Sequence, residues 1–222
     1  MLLPIGVVGY FYYLWADDAK EVALATLRMT VQLMLIGYIL LYLFENDNPL
    51  FGLFILFFMI AVSSFIAIRS IKNRSLKHYS HVFIAIALGG SLNLLLVIMV
   101  VLDLSTYIPK YLIPIAGMVY ANAMNAVALA AERFETEQKD HLYEKARSIA
   151  FKASMIPQIN AFLVVGLVSL PGMMTGQILS GVDPLIAARY QIVIMAMILG
   201  SSGMSVVLYL LFQKQQMKSS LI

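Results

Sequence analysis

Residues 166–177 read Gly-Leu-Val-Ser-Leu-Pro-Gly-Met-Met-Thr-Gly-Gln, and they interrupt an otherwise apolar run of the chain. Pro171 has no amide hydrogen, so within a helix the carbonyl of Leu167 would lose its donor, and Gly172 adds flexibility. A helix in a bilayer must satisfy its own backbone hydrogen bonds, because hydrocarbon offers no partners. We therefore expect a broken membrane helix here, whose freed backbone groups face protein or a water-filled cavity.

The composition is that of an integral membrane protein. Hydrophobic residues make up 61% of the 222 residues, charged residues make up 12%, and the mean hydropathy is +0.87. The chain has no cysteine, which excludes disulfides, thiolate metal sites and a cysteine nucleophile. The net charge of +3 does not indicate nucleic-acid binding, because the basic residues lie in short loops between apolar runs.

The apolar runs predict an all-α polytopic bundle with seven membrane-spanning helices, at about residues 1–15, 24–44, 50–68, 82–102, 108–131, 154–180 and 185–212. None of these runs alternates as a barrel strand does. Asn48-Pro49 and Asp183-Pro184 each place an N-cap side chain before a proline, which is a helix-start signal. The first run lacks the features of a signal peptide and is short for a span, so we expect residues to precede it. With no internal repeat, residues 1–222 are predicted to form one membrane domain.

The basic residues predict the orientation of the chain. Only Lys110 and Arg189 fall on one side of the predicted spans. The other side carries Lys20, Arg28, Arg69, Lys72, Arg74, Lys77, Arg133, Lys139, Lys145, Arg147, Lys152, Lys214 and Lys218. The positive-inside rule then places the N-terminus outside and the C-terminus in the cytoplasm of a cell (inner or plasma) membrane.

Residues 132–152 form the one substantial cytoplasmic segment between predicted spans. They are predicted to be an amphipathic helix that runs into the sixth span, because apolar residues recur there at helical spacing. These residues are Leu142, Ala146, Ile149, Ala150 and Ala153. Such a helix can be the segment that a cytoplasmic partner binds, or it can lie on the anionic leaflet of the membrane.

Several kinds of chemistry are excluded or disfavoured. No Gly-Lys dipeptide occurs, so the chain has no P-loop for nucleotide hydrolysis. The carboxylates cluster in loops, whereas secondary transporters usually keep ionisable groups inside their spans, so an external energy source is favoured over ion coupling. His78 and His81 can share a metal, but a satisfied interfacial pair is favoured because no carboxylate lies nearby in the sequence.

The polar residues inside the predicted spans are mainly neutral amides: Gln32, Asn93, Asn122, Asn125, Gln158, Asn160, Gln177 and Gln191. The plain interpretation of each is an interhelical hydrogen bond, worth about 0.6 kcal/mol in membranes. Asn122 and Asn125 share a helix face, and can instead present two amides to a transport pathway. Gln158 and Asn160, which follow Pro157, offer the same alternatives near the cytoplasmic mouth of the sixth span.

The broken segment carries two further patterns. Gly172 and Gly176 permit close helix contact, either as plain packing or as a dimer seam. Met173 and Met174 are adjacent at the break, where thioethers can contact a soft metal such as Cu(I). Methionine more often fills irregular core space, so packing is the favoured interpretation.

Two blocks of the sequence resemble the FetB-type permeases of ATP-binding-cassette (ABC) transporters. The first block, residues 118–132, reads Met-Val-Tyr-Ala-Asn-Ala-Met-Asn-Ala-Val-Ala-Leu-Ala-Ala-Glu. The second comprises Ile-Pro-Gln-Ile-Asn at 156–160, residues 164–177, Asp183-Pro184 and Arg-Tyr-Gln-Ile at 189–192. The stretch from Gln32 to Tyr38 is similar as well, so the resemblance covers most of the chain.

The resemblance implies a permease that dimerises and docks a cytoplasmic ATP-binding subunit. The bacterial members are associated with iron export and resistance to oxidative stress. Plant relatives are associated with aluminium tolerance and, in one case, with nucleotide-sugar transport. Family members carry a longer cytoplasmic segment with a Leu-Gly-Ala coupling stretch where this chain passes from Gln138 straight to Lys139, and a deletion there puts ATPase coupling in doubt. They also usually have glycine where Ala121 stands.

The resemblance, together with the predicted membrane helices, implies the non-catalytic membrane subunit of an ABC exporter, with iron as cargo. The expected partners are a cytoplasmic ATP-binding subunit that holds ATP and Mg²⁺, a second copy of the chain and the lipid bilayer, with no nucleic acid and no cofactor bound by the chain itself. The alternatives are export of an organic anion such as a nucleotide sugar, and a passive channel or structural membrane subunit.

Three groups of site residues follow from this hypothesis, and no metal ligand is assigned. The expected pathway residues are Asn122, Asn125, Gln158, Asn160, Met173, Met174 and Gln177. The expected hinge is Pro171, Gly172 and Gly176, and the expected contacts for ATPase coupling are Glu132, Arg133, Glu144 and Arg147.

Overall fold

A computed structural model of the chain describes residues 2–16, 19–45, 48–71, 75–101 and 109–219. The described residues form eight α-helices: α1 Leu2–Ala16, α2 Ala19–Glu45, α3 Pro49–Ala67, α4 Leu76–Leu96, α5 Pro109–Glu137, α6 Tyr143–Val164, α7 Gly172–Leu179 and α8 Pro184–Ser219. A 3-10 turn follows α3, and a π-helical stretch continues α4. This described part contains no strand beyond one isolated bridge, so the all-α prediction is confirmed.

Five helical segments are long and apolar enough to cross a membrane: Val22–Glu45, Pro49–Ala67, Leu76–Met99, Tyr111–Glu137 and Pro184–Gln215. The apolar part of α1, Leu3–Trp15, is shorter than a usual span. The described helices therefore have the character of a multi-pass membrane protein. The count of seven crossings, and a broken crossing over residues 154–180, stay predictions.

Helix starts follow local capping chemistry. α8 begins at Pro184, as predicted, and the Asp183 carboxylate accepts a hydrogen bond from the N–H of Leu185 at 2.8 Å. α3 likewise begins at the proline expected from the sequence. α4 begins earlier than the predicted residue 82, because the Ser75 hydroxyl accepts the N–H of His78 at 3.2 Å and caps the first turn.

The chain divides into two compact units, each described by itself. The first unit, Met1–Asn48, contains α1 and α2, which contact each other. The second unit, Pro49–Ile222, contains α3 to α8. All of the expected pathway, hinge and coupling residues lie in this second unit.

The centre of the second unit is formed by α4, α5 and α8, with α3 and α6 packed around them. Val119, Ala123 and Val127 of α5 recur at four-residue intervals and are fully buried. This interval places them on one face of the helix, which is the face that meets the core. Val82 of α4 and Val206 of α8 are buried to the same extent.

Small residues bring α4 against its neighbours. A Cβ atom on Gly89 would lie 2.6 Å from the backbone nitrogen of Ser205 in α8, closer than real Cβ contacts allow. A Cβ atom on Gly90 would lie 2.8 Å from the ring of Tyr120 in α5. The absence of side chains at these two positions therefore permits the α4–α8 and α4–α5 contacts.

Residues 132–152 do not form the single amphipathic helix that the sequence predicted. α5 continues to Glu137, a turn occupies residues 138–142, and α6 starts at Tyr143. The N–H groups of Asp140 and His141 donate to the carbonyl of Glu137, at 3.2 and 2.9 Å. The prediction was wrong because residues 138–142 are all exposed, Leu142 among them, so no packing holds a continuous helix through the turn. α5 and α6 instead form a helical hairpin.

The backbone leaves the helix before Pro171, and not at it. α6 ends at Val164, Gly166 adopts a φ of 81°, and the N–H of Val168 donates to the carbonyl of Val164 at 2.8 Å. Leu167 lies in this turn, so the expectation that Pro171 deprives a helical Leu167 carbonyl of its donor was wrong. Pro171 lies at the N-cap of α7, where a missing amide hydrogen costs no helical hydrogen bond.

Candidate functional site

Two of the expected pathway amides meet between the arms of the hairpin. The side-chain nitrogen of Gln158 on α6 donates to the side-chain oxygen of Asn122 on α5 at 3.4 Å, a long hydrogen bond. The Asn122 amide also donates to the carbonyl of Met118, one turn earlier, at 2.8 Å. Gln158 is buried, so this pair joins the two helices from within the unit.

The other two amides of the hairpin have a different environment. Asn125 on α5 and Asn160 on α6 are exposed on the surface of the second unit. Asn125 falls within a segment apolar enough to cross a membrane, where contact of an amide with hydrocarbon is costly. The structure thus divides the four amides into an inner pair and two outward-facing residues.

α7 carries the remaining expected pathway and hinge residues. Met173 packs against the core, and Met174 and Gln177 are half-buried. Gly172 and Gly176 are exposed, and a Cβ atom at either position would meet nothing within 4 Å. Within the described chain this glycine pair therefore makes no close helix contact.

A tight turn connects α7 to α8. The N–H of Gly181 donates to Ile178 and that of Val182 donates to Gln177, each at 3.0 Å. Gly181 has a φ of 90°, the left-handed conformation that glycine adopts most easily at a helix C-terminus. Since Asp183 then caps α8, the two helices are joined by a connection in which most backbone groups are hydrogen-bonded.

The base of the hairpin carries a group of residues that we call the Tyr143 cluster: Phe134, Tyr143, Glu144, Arg147, Leu210 and Lys214. The Tyr143 hydroxyl donates to the carbonyl of Leu210 on α8 at 2.8 Å. Arg147 and Lys214 lie 5.6 and 5.4 Å from the centre of the Tyr143 ring. Glu144 pairs with Arg147 at 2.6 Å and with Lys214 at 3.2 Å. The cluster thus joins the end of α5, the start of α6 and the end of α8.

The phenol of Tyr143 remains a hydrogen-bond donor at neutral pH. Burial raises the pKa of Tyr143 above its ordinary value, although the positive charge of Arg147 acts in the opposite direction. The Tyr143 phenol therefore stays neutral beside Arg147 and Lys214, and can donate its hydrogen bond to the Leu210 carbonyl of α8.

The four expected coupling residues all lie near the hairpin turn. Glu144 and Arg147 pair with each other within the Tyr143 cluster. Arg133 pairs with Glu137, one turn later on α5, at 2.8 Å, and Glu132 is exposed. Three of the four charges therefore have intramolecular partners.

His78 has a hydrogen-bond partner within the protein, in agreement with the interpretation of the histidines as a satisfied interfacial pair. Its Nε2 lies 3.0 Å from the Tyr209 hydroxyl of α8. His81 stacks on Phe212 of the same helix, with ring centres 5.3 Å apart. Over the part of the chain that the structure describes, no group of three or more His, Cys, Asp or Glu residues is placed to hold a metal.

Sequence reasoning missed two features of the second unit. One is the Tyr143 cluster, because nothing in the sequence indicates that Lys214 reaches residues 143–147. The other is the contact of α4 with α8, where Asn93 of α4 donates to the Met204 sulfur of α8 at 3.0 Å, besides a bond at 3.0 Å to the Gly89 carbonyl of its own helix. The adjacent glycines at 89 and 90, and the small residues at 200–203, were the available signal for the second feature.

Sequence comparison places these features in a family. The family model described as "Uncharacterised protein family (UPF0014)" matches residues 2–145 and 137–217. The two matches overlap at the hairpin turn. No solved structure matches the chain.

Three relatives illustrate the range of the family. The chain is 36% identical to the UPF0014 membrane protein slr1647 of Synechocystis, over 81% of this chain and 76% of that protein. It is 33% identical to the probable iron export permease protein FetB of Escherichia coli, over 88% and 81% of the two chains. It is 29% identical to Protein ALUMINUM SENSITIVE 3 of Arabidopsis thaliana, over 83% and 72%. The chain therefore belongs to the UPF0014 family of membrane proteins, and its resemblance to the FetB-type permeases and their plant relatives is confirmed.

Proposed function

We propose that this protein is the membrane-spanning permease subunit of an ABC exporter, with iron as cargo. The observation that carries the proposal is the 33% identity to the probable iron export permease FetB over 88% of the chain. ATP and Mg²⁺ belong to a separate cytoplasmic subunit, and the permease itself catalyses no reaction. The N-terminus lies outside and the C-terminus in the cytoplasm of the cell membrane, in accord with the distribution of basic residues.

The transport pathway lies between two copies of the chain. Asn125 and Asn160 are exposed on the surface of the second unit, and an amide that faces hydrocarbon is costly. Gly172 and Gly176 are also exposed, with open space around their Cβ positions. A second copy would cover these residues, and would bring Gln177 and the two methionines of α7 close to the same path.

The α5–α6 hairpin is the segment that contacts the ATP-binding subunit. Its turn, residues 138–142, is exposed and carries both charges, and Glu132 is exposed beside it. Closure of the ATP-binding subunits would displace this turn and tilt α5 and α6. The backbone at Pro171 and Gly172, outside the long helices, would accommodate the change.

The test begins with co-purification of the protein and an ATP-binding subunit. Inverted vesicles that contain the complex should accumulate labelled iron only when ATP is supplied. The matched control is a complex whose ATP-binding subunit carries an inactivating substitution in its P-loop lysine, and it should transport no iron.

Two results would contradict the proposal. Iron flux of equal rate with and without ATP would indicate a passive channel. ATP hydrolysis that a nucleotide sugar stimulates and iron does not would indicate an exporter of organic anions.

A further inference from the structure

α8 extends from the α7 turn to the Tyr143 cluster. Its 36 residues correspond to a length of about 54 Å at 1.5 Å per residue. At its N-terminal end, Asp183 and the preceding turn connect it to α7, where Met173 and Gln177 lie. At its C-terminal end, Leu210 and Lys214 contact the base of the hairpin.

The middle of α8 is held firmly against the core. Gly89 of α4 allows backbone contact with Ser205, and Asn93 lies so close to Gly200 that a Cβ atom there would be 2.5 Å from the Asn93 oxygen. A close-packed protein interior has low compressibility, so the displacement of one end of a helix is transmitted along it. α8 therefore connects its two ends as one stiff element.

α5 packs extensively against α8 in the core, whereas the start of α6 is held to α8 by a few polar contacts, most of which Tyr143 makes. The Tyr143 hydroxyl bonds to the α8 backbone, and its ring lies beneath both Lys214 and Arg147. The Glu144–Lys214 ion pair is the second link, but both of its side chains are exposed, where such pairs contribute little. The half-buried Tyr143 is therefore the main polar joint between the start of α6 and α8, while further along α6 Met155 lies beside Gly203 of α8.

We propose that Tyr143 is a positioning residue that couples the hairpin to α8, so that displacement of the hairpin turn is delivered through α8 to α7. This inference rests on the proposed function for its role in transport, but the joint itself exists without any partner. The hairpin turn then moves the pathway residues of α7 through α8, in addition to any tilt of α5 and α6.

The joint is tested on the protein alone, by distances between spin labels on α6 and α8. The chain has no cysteine, so Ser148→Cys and Gln215→Cys introduce labels at two exposed positions without other changes. With Tyr143 intact, the distance between the labels at positions 148 and 215 should have one narrow distribution. Tyr143→Phe removes only the hydroxyl, and should increase the population of separated α6–α8 distances by roughly 2- to 10-fold, the range expected for one hydrogen bond.

Tyr79→Phe is the matched control. The Tyr79 hydroxyl also donates to a carbonyl on another helix, Ala61 of α3, at 3.2 Å, and Tyr79 is also half-buried. Tyr79→Phe should leave the α6–α8 distribution narrow. An unchanged distribution in Tyr143→Phe would overturn the inference, and so would equal broadening in both variants.

A second measurement reports the consequence for transport. In vesicles that contain the complex with the ATP-binding subunit, Tyr143→Phe should raise the number of ATP molecules hydrolysed per labelled iron ion severalfold, while the Tyr79→Phe ratio stays unchanged. Equal ratios in the two variants would overturn the inference. If no ATP-dependent iron transport occurs at all, the proposed function fails, whereas the distance measurement still decides whether Tyr143 joins α6 to α8.

Discussion

Replacing Gly89 by alanine would place a methyl group against the backbone of α8. The new Cβ atom would lie 2.6 Å from the Ser205 nitrogen and 2.8 Å from its Cα, whereas ordinary contact begins at 3.4 Å. The two helices must therefore separate by about 0.8 Å, the difference between 2.6 and 3.4 Å. Backbone atoms cannot rotate away as a side chain can, so the strain falls on the packing of α4 against α8.

The size of the effect follows from a comparison with a second glycine. Overpacking of this kind costs about 1–3 kcal/mol, while alanine favours a helix over glycine by about 1 kcal/mol. Gly117→Ala on α5 has the same helix gain, but its methyl would meet only the flexible end of Met59, at 3.4 Å. The gain in helix propensity is the same in the two variants. The free energy of unfolding of Gly89→Ala should therefore be about 1–3 kcal/mol lower than that of Gly117→Ala.

Thermal unfolding in detergent, followed by far-ultraviolet circular dichroism, measures this difference. Tryptophan fluorescence is unsuitable, because the single tryptophan, Trp15, lies in the first unit. At about 2–4 °C per kcal/mol for a chain of this size, Gly89→Ala should unfold about 2–12 °C below Gly117→Ala. Gly200→Ala should give a smaller loss, since the Asn93 side chain can rotate away from the methyl group. Equal unfolding temperatures for Gly89→Ala and Gly117→Ala would refute the close α4–α8 contact.

Three further variants or conditions test the other features of the second unit. Gln158→Leu should lower the free energy of unfolding by about 0.6 kcal/mol, and should have no such effect in an Asn122→Leu background; an equal loss in both backgrounds would show that the two amides do not interact. Gly176→Leu meets open space, so it should leave the unfolding temperature unchanged, and it should reduce cross-linking between copies if they pair as we propose; undiminished cross-linking would exclude this face from the proposed dimer contact. Because the folded-state pKa of Tyr143 is raised, its contribution to stability is complete below the ordinary phenol pKa of about 10 and is lost as the pH rises from there through the raised folded-state pKa. The α6–α8 label distance should therefore stay narrow at neutral pH and broaden in strongly alkaline buffer, and broadening already at neutral pH would contradict the assignment.

Local chemistry accounts for the helix positions that the sequence predicted well. Runs of apolar residues long enough to cross a bilayer identified α2, α3, α5 and α8, and the aspartate and proline at 183–184 located the start of α8. These signals depend only on neighbouring residues, so they can be read without the tertiary fold. The start of α4 was missed because the Ser75 cap lies among polar residues, outside the apolar run.

The errors concern residues whose structure depends on distant contacts. The apolar positions at helical spacing within residues 132–152 belong to α6 and its N-cap Leu142, whereas residues before the turn at 138–142 belong to α5. Pro171 indicated the right region for an interruption but the wrong residue, since the backbone turns at Gly166 and reaches Pro171 as the start of a new helix. A proline and a glycine both mark where a helix can stop, and here the left-handed conformation of Gly166 follows the end of α6.

Composition and periodicity alone determined that this is a helical membrane protein, and the residues at 118–132 and 156–192 placed it in its family. They did so because apolar length, helix caps and short motifs are local properties of the chain. The tertiary structure alone decided that Gln158 turns inward to Asn122 while Asn125 faces outward, and that Tyr143 reaches the α8 backbone at Leu210. These contacts join residues 36 and 67 positions apart, and the pairing of helices that creates them depends on small residues such as Gly89, whose partner no local pattern identifies.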